Sequence, residues 1–158
     1  MRIYIMRHGQ AEVIAGKDSL RPLTDAGMYE SSQVAHWLKS QLPAPLDWIL
    51  VSPYKRALQT LSAFNAVFPC KNHQQLDELV PEGNAQAVCD YLVALINDEK
   101  LDSLLLISHL PLVSFIVEIL SPANIAPIFH TAEIACIEYE PDTVIGELIW
   151  MQPPHSLP

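Results

Sequence analysis

Short runs that are apolar throughout alternate along this chain with longer stretches in which apolar residues recur every three or four positions. The first kind predicts buried strands and the second amphipathic helices. A strand over 3–6 begins almost at the first residue. Thr24 is placed to cap a helix running to about Gln41, with Met28, Val34, Trp37 and Leu38 as its apolar stripe. Pro43 and Pro45 close that segment, and 48–51 is a second buried strand. Ser52-Pro53 reads as an N-cap followed by proline at the first helical position, with Leu58 and Leu61 facing inward from that helix. Asn84 caps another helix, in which Val88, Tyr91, Leu92, Leu95 and Ile96 recur at helical spacing. Residues 104–107 form a third apolar strand, and 111–120 a helix. The pattern then changes: 132–139 and 144–151 read as an antiparallel hairpin around Pro141-Asp142.

Strands alternating with helices imply an α/β fold: a three-layer sandwich with a mostly parallel central sheet, helices on both faces and a C-terminal antiparallel hairpin. With no repeat, low-complexity tract or Gly/Ser linker, residues 1–158 read as a single domain. Half of the residues are apolar and 17% are charged, which excludes a disordered chain. The run over 104–120 raises a membrane question, but Ser108, His109, Pro111, Ser114 and Glu118 divide it into a strand and a helix. The stretch Arg2 to Met6 is too short for a signal-peptide core, so the chain reads as cytoplasmic. Cys70, Cys89 and Cys136 are odd in number and widely spaced, and read as free thiols in a reducing compartment.

The net charge of −9 argues against nucleic acid and anionic membrane as partners. Any anion the protein handles must be held by a local cluster drawn from only nine Lys and Arg residues. The polar residues that follow the apolar strands supply one. The first strand ends in Arg7-His8-Gly9, the second in Ser52-Pro53-Tyr54-Lys55-Arg56, and the third in Ser108-His109. In open α/β sheets, ligands bind beyond the carboxyl ends of the strands, where strand order reverses. A lone histidine at a strand end is most often a structural residue, and Arg56 alone would be a solvated helix charge. Arg7 directly after a buried strand needs a partner. Two arginines and two histidines on one rim make a cation site, whose paired guanidinium donors suit phosphate. Gly9 would let the backbone approach a ligand closely.

Ile5-Met6-Arg7-His8-Gly9 resembles the RHG motif of the histidine phosphatase superfamily, with its phosphoglycerate-mutase-like fold. Arg21-Pro22-Leu23-Thr24 with Gly27, Val51-Ser52-Pro53 with Arg56-Ala57 and Gln59-Thr60, and Ile107-Ser108-His109 match further elements of that family in its order. The chain also resembles the SixA-type phosphohistidine phosphatases in length and wording. The resemblance implies that His8 attacks phosphorus and carries the phosphoryl group. Arg7, Arg56 and His109 then complete the catalytic set, and Arg7, Arg21, Arg56 and His109 hold the phosphate, with no metal and no cofactor.

Larger members of the superfamily use a glutamate as general acid, and Glu78 and Glu82 are the nearest candidates here, although neither sits in a family motif. An alcohol leaves as a strong base unless protonated, an effect worth roughly 10²–10⁴ in rate. A histidine leaving group, with an ordinary pKa of about 6.5, departs with less help. A site without a placed acid is matched to P–N cleavage, so the expected substrate is a protein phosphohistidine, as on phosphorelay proteins, met by a monomer with an open cleft. Two alternatives stand: a phosphatase or mutase acting on small phosphate esters with Glu78 or Glu82 catalytic, and a phosphate-binding module that does not turn over. None of His8, His36, His73, His109, His130 and His155 forms a close metal-ligand pair. His130, in a loop before the hairpin, is the one other histidine placed to border the cleft.

Overall fold

The computed structural model describes residues 1–158. In chain order the elements are β1 (Arg2–Arg7), α1 (Asp25–Gln41), β2 (Trp48–Val51), α2 (Lys55–Val67), β3 (His73–Gln75), α3 (Ala85–Glu99), β4 (Ser103–Ser108), α4 (Leu112–Leu120), β5 (Ile134–Glu140) and β6 (Ile145–Gln152). The strands form one sheet in the order β3-β2-β4-β1-β5-β6. β1, β2, β3 and β4 run parallel, whereas β5 and β6 are antiparallel additions beside β1. The three-layer α/β sandwich with a C-terminal hairpin is therefore as the pattern predicts.

Alternation along each strand explains the layers. Ile3, Ile5, Leu104 and Leu106 face α3 and α4, while Tyr4, Met6, Leu105 and Ile107 face α1 and α2. All eight are essentially inaccessible to solvent, which is why β1 and β4 read as continuous apolar runs. Thr24 and Asn84 cap their helices as expected, accepting from the backbone N–H of Gly27 at 3.0 Å and of Ala87 at 2.9 Å. No helix is long and apolar enough to cross a membrane.

Three local expectations need correction, and one strand was not predicted. α2 begins at Lys55 behind Tyr54, because the Ser52 hydroxyl accepts the Tyr54 N–H and turns to His109 instead of capping a helix. Pro53 is thus outside the helix. Met28 and Tyr91 lie on the exposed sides of α1 and α3, at the wetter border of each stripe. β3 carries no apolar signal at all: His73-Gln74-Gln75 is a three-residue edge strand held to β2 by backbone pairing. The third correction concerns Gly9. A methyl group there would stand 2.6 Å from the Gly27 carbonyl oxygen and 2.7 Å from the Ser31 hydroxyl, so glycine lets α1 pack against the loop after β1. The close approach is to protein backbone.

Candidate active site

β2, β4 and β1 are consecutive neighbours in the sheet, all parallel, so their carboxyl ends open on one rim. Adjacent strands lie about 4.8 Å apart, which places the residues after them within one small pocket's width. A cavity of about 370 Å³ sits there, lined by Arg7, His8, Arg21, Arg56 and His109, among others. All five residues predicted for the site are therefore brought together. Glu78 and Glu82 are not among the lining residues. Glu78 accepts the Asn84 backbone N–H at 2.6 Å, and Glu82 accepts the Tyr54 hydroxyl at 3.3 Å. His130 also stays out of the pocket, paired with Glu133 at 3.1 Å and stacked edge-on with His155. A wider groove of about 950 Å³ at the amino ends of β2 and β4 gathers no comparable set of convergent groups.

His8 is held in one tautomer. Its Nδ1 lies 2.7 Å from the Gly9 carbonyl oxygen, which only accepts, so Nδ1 carries the proton. Nε2 then presents its lone pair, which accepts the Arg56 Nε–H at 3.2 Å. The loop carrying His8 is pinned from α2: Gly9 N–H donates to the Thr60 hydroxyl at 3.0 Å, and Leu23 N–H to the Gln59 side-chain oxygen Oε1 at 2.7 Å. These contacts give the Gln59-Thr60 pair its purpose.

Burial, helped by Arg56, Arg7 and Arg21, pushes the His8 pKa down to about 4. Desolvation is the largest of these causes. His109, at 1% exposure, is lowered to about 2 by burial first, then by His8 and Arg56. Its Nε2 is 2.7 Å from the Ser52 hydroxyl. The Ser52 hydroxyl also accepts from Tyr54, and the buried His109 Nδ1 has no partner. Arg7 gives one terminal nitrogen to the Phe129 carbonyl at 2.9 Å, and its buried Nε has no acceptor.

Three residues that sequence reasoning missed shape the site. Ser52 orients His109. Tyr54 packs its ring edge-on to His109 with a centroid separation of 5.0 Å, and the Arg56 guanidinium lies 5.1 Å from the same ring. Asp18, in a short 3₁₀ turn, binds Arg56 at 3.0 Å and Arg21 at 3.0 Å. The only local signal for Asp18 was a carboxylate three residues before Arg21. Cys70, Cys89 and Cys136 are buried free thiols remote from this chemistry, and burial raises all three.

Neutral buried histidines carry a pH signature. The unfolded chain takes up protons on His8 and His109 near pH 6.5, while the folded chain refuses them down to about pH 4 and about pH 2. Their contribution to stability is present above pH 6.5 and is lost as pH falls from 6.5 to about 4 for His8 and on to about 2 for His109. Between pH 7.5 and 5.5 the two together should remove roughly 3 kcal/mol of unfolding free energy. Urea melts across that range are expected to show this slope, and His8→Ala to show about half of it. A variant with the full slope would contradict a neutral buried His8.

A profile of the histidine phosphatase superfamily (branch 1) matches residues 3–85. The chain is 42% identical to the phosphohistidine phosphatase SixA of Escherichia coli, over 99% of this chain and 96% of that one. It is 41% identical to the SixA homolog of Haemophilus influenzae, over 85% of this chain and 86% of that protein. Its structure superposes on that of the protein histidine phosphatase SixA complexed with tungstate, with a TM-score of 0.94, 40% identity and full coverage of both chains. With its RHG strand end, its clamp of arginines and its second histidine in family order, the chain belongs to the histidine phosphatase superfamily.

Proposed function

We propose that this protein is a phosphohistidine phosphatase that removes the phosphoryl group from a histidine of another protein through a phospho-His8 intermediate, with residues 1–158 acting as one catalytic domain. The observation that carries this reading is the set of unfilled groups in the pocket. Arg7 Nε and His109 Nδ1 are buried nitrogens without a partner, and the lone pair of His8 Nε2 is met only by the Arg56 Nε–H, which a phosphoryl oxygen can draw away. An unmade buried hydrogen bond costs about 1–3 kcal/mol, and a phosphoryl oxygen gives each donor its partner. The similarity to SixA supports phosphohistidine as the substrate.

In this mechanism the substrate's phosphoryl group enters between His8 and the arginines, and Arg56 releases His8 Nε2 as it turns its fork to the phosphoryl oxygens. His8 Nε2 attacks in line, the substrate imidazole departs, and water then hydrolyses phospho-His8. Arg7, Arg21, Arg56 and His109 stabilise charge on the equatorial oxygens in both steps. His109 acts as a neutral donor, consistent with its lowered pKa. Glu78 and Glu82 are engaged elsewhere, and Asp18, the acidic side chain that does line the pocket, is held ionised by Arg21 and Arg56, so none of the three is set to protonate an alkoxide.

The reading predicts that kcat/KM for a phosphohistidine protein exceeds that for a phosphoserine peptide by at least about 10², the scale of the missing acid. Phosphate release from both substrates in excess chelator measures the ratio. Comparable or faster ester hydrolysis would overturn the choice of substrate.

A further inference from the structure

Departure of an imidazole from phosphorus depends on the ring's second nitrogen. The electron pair of the breaking P–N bond passes to the leaving ring nitrogen. A ring protonated on its other nitrogen leaves as neutral imidazole, whereas an unprotonated ring leaves as imidazolate, a strong base. An unperturbed histidine ring protonates near pH 6.5, so above neutrality most of the substrate lacks the needed proton. A carboxylate at the mouth of the pocket would hold that proton in place.

Asp18 is the one acidic side chain lining the cavity. Oδ1 accepts from Arg21 and Oδ2 from Arg56, each at 3.0 Å, and the Asp18 backbone carbonyl accepts from Arg56 at 2.7 Å. The side chain is nevertheless 54% exposed, and a carboxylate has about four acceptor positions, so two arginine contacts leave room for a third donor. An arginine pair that grips a phosphoryl group thus also fixes a carboxylate beside it. The other charged and titratable groups facing this place are Arg7 and His8 after β1, Tyr54 and Arg56 from the β2–α2 side, and His109 after β4. Glu82 is turned to the Tyr54 hydroxyl.

We propose that Asp18 determines specificity: its carboxylate accepts the ring N–H of the incoming phosphohistidine and holds that ring as a cation until His8 displaces it. The inference rests on the phosphohistidine reading above. In the balanced step, the His8 Nε2 lone pair forms the new N–P bond and the P–N bond of the substrate breaks. Its electron pair stays on the departing ring, which already carries its proton and leaves uncharged. Asp18 donates nothing, in keeping with its pKa, which the Arg21 hydrogen bond chiefly, and Arg56, hold below the usual carboxylate range. A phosphate ester brings no cation to this carboxylate, only a second anion, and is disfavoured. One side chain thereby assists P–N cleavage and discriminates against P–O cleavage.

The test compares native enzyme with Asp18→Asn, a nearly isosteric change at an exposed position, on a phosphohistidine protein and on p-nitrophenyl phosphate from pH 6 to 9. An opposite charge at contact distance shifts a pKa by one unit or more. For the variant, kcat/KM on phosphohistidine should fall about tenfold at pH 8 and much less at pH 6, with the alkaline limb displaced about one unit downward. Hydrolysis of p-nitrophenyl phosphate should rise. If both substrates lose rate together with an unmoved limb, Asp18 only positions the arginines and the inference is wrong. Unchanged rates on both substrates would refute it equally. Native enzyme that releases no phosphate from phosphohistidine protein would instead overturn the phosphatase reading itself.

Discussion

Replacing His8 by alanine is expected to lower phosphate release from a phosphohistidine protein by roughly 10⁴–10⁶-fold, the scale on which loss of a covalent nucleophile falls. The size of the effect follows from what the ring supplies. In native protein the Gly9 carbonyl fixes the proton on Nδ1, and burial keeps the ring neutral to about pH 4, so Nε2 is an attacking lone pair at every ordinary pH. Alanine removes that lone pair and leaves the arginines in place, and their residual effect is electrostatic stabilisation of direct attack by water. The substitution should spare the fold, because His8 contributes contacts to the pocket, whereas β1 itself is held by pairing to β4 and β5. Circular dichroism of the variant checks that point. Turnover within tenfold of native would exclude His8 as the nucleophile.

The second large effect is expected for Arg56→Lys, at roughly 10²–10³-fold in kcat/KM, comparable with removal of a preorganised donor to developing charge. Arg56 is 4% exposed and uses all three of its nitrogens: Nε toward His8, and the two terminal nitrogens toward the Asp18 carbonyl and carboxylate. A lysine ammonium keeps the charge but not the planar fork, so it cannot serve the nucleophile, Asp18 and a phosphoryl group together. Its loss should appear in kcat more than in KM, since the fork fits the spread charge of the transition state. Near-native kinetics for this variant would remove Arg56 from the clamp and leave a simple cationic site.

Much of this arrangement was legible before any coordinates. β1, β2 and β4 announce themselves because a parallel strand covered on both faces is apolar throughout, and the polar residues after each are then forced onto one rim. Thr24 and Asn84 announce helix starts by a mechanism that acts within three residues. What stayed hidden is what depends on contacts distant in sequence. β3 has no apolar face to display, since its three residues contribute little beyond backbone pairing. Ser52 has the local chemistry of a helix cap, and only its approach to His109, 57 residues away, assigns it to the site. Asp18 shows in the sequence only as a carboxylate three residues before Arg21, because Arg56, which it also binds, lies 38 residues further on. Gly9 was visible as a close approach, but whether to ligand or protein depended on where α1 came to rest. Strand order was equally beyond reach, as the crossovers that insert β4 between β2 and β1 are set by global packing.

The account turns on a phosphoryl group carried by His8, and the most direct measurement is to trap it. Native enzyme mixed for milliseconds with a protein bearing radiolabelled phosphohistidine, then quenched in alkali, where an N-phosphorylated imidazole survives, should yield label on the peptide containing His8, appearing before free phosphate and decaying into it. Phosphate released with no labelled enzyme at any time, or label carried on another residue, would contradict the covalent role assigned to His8.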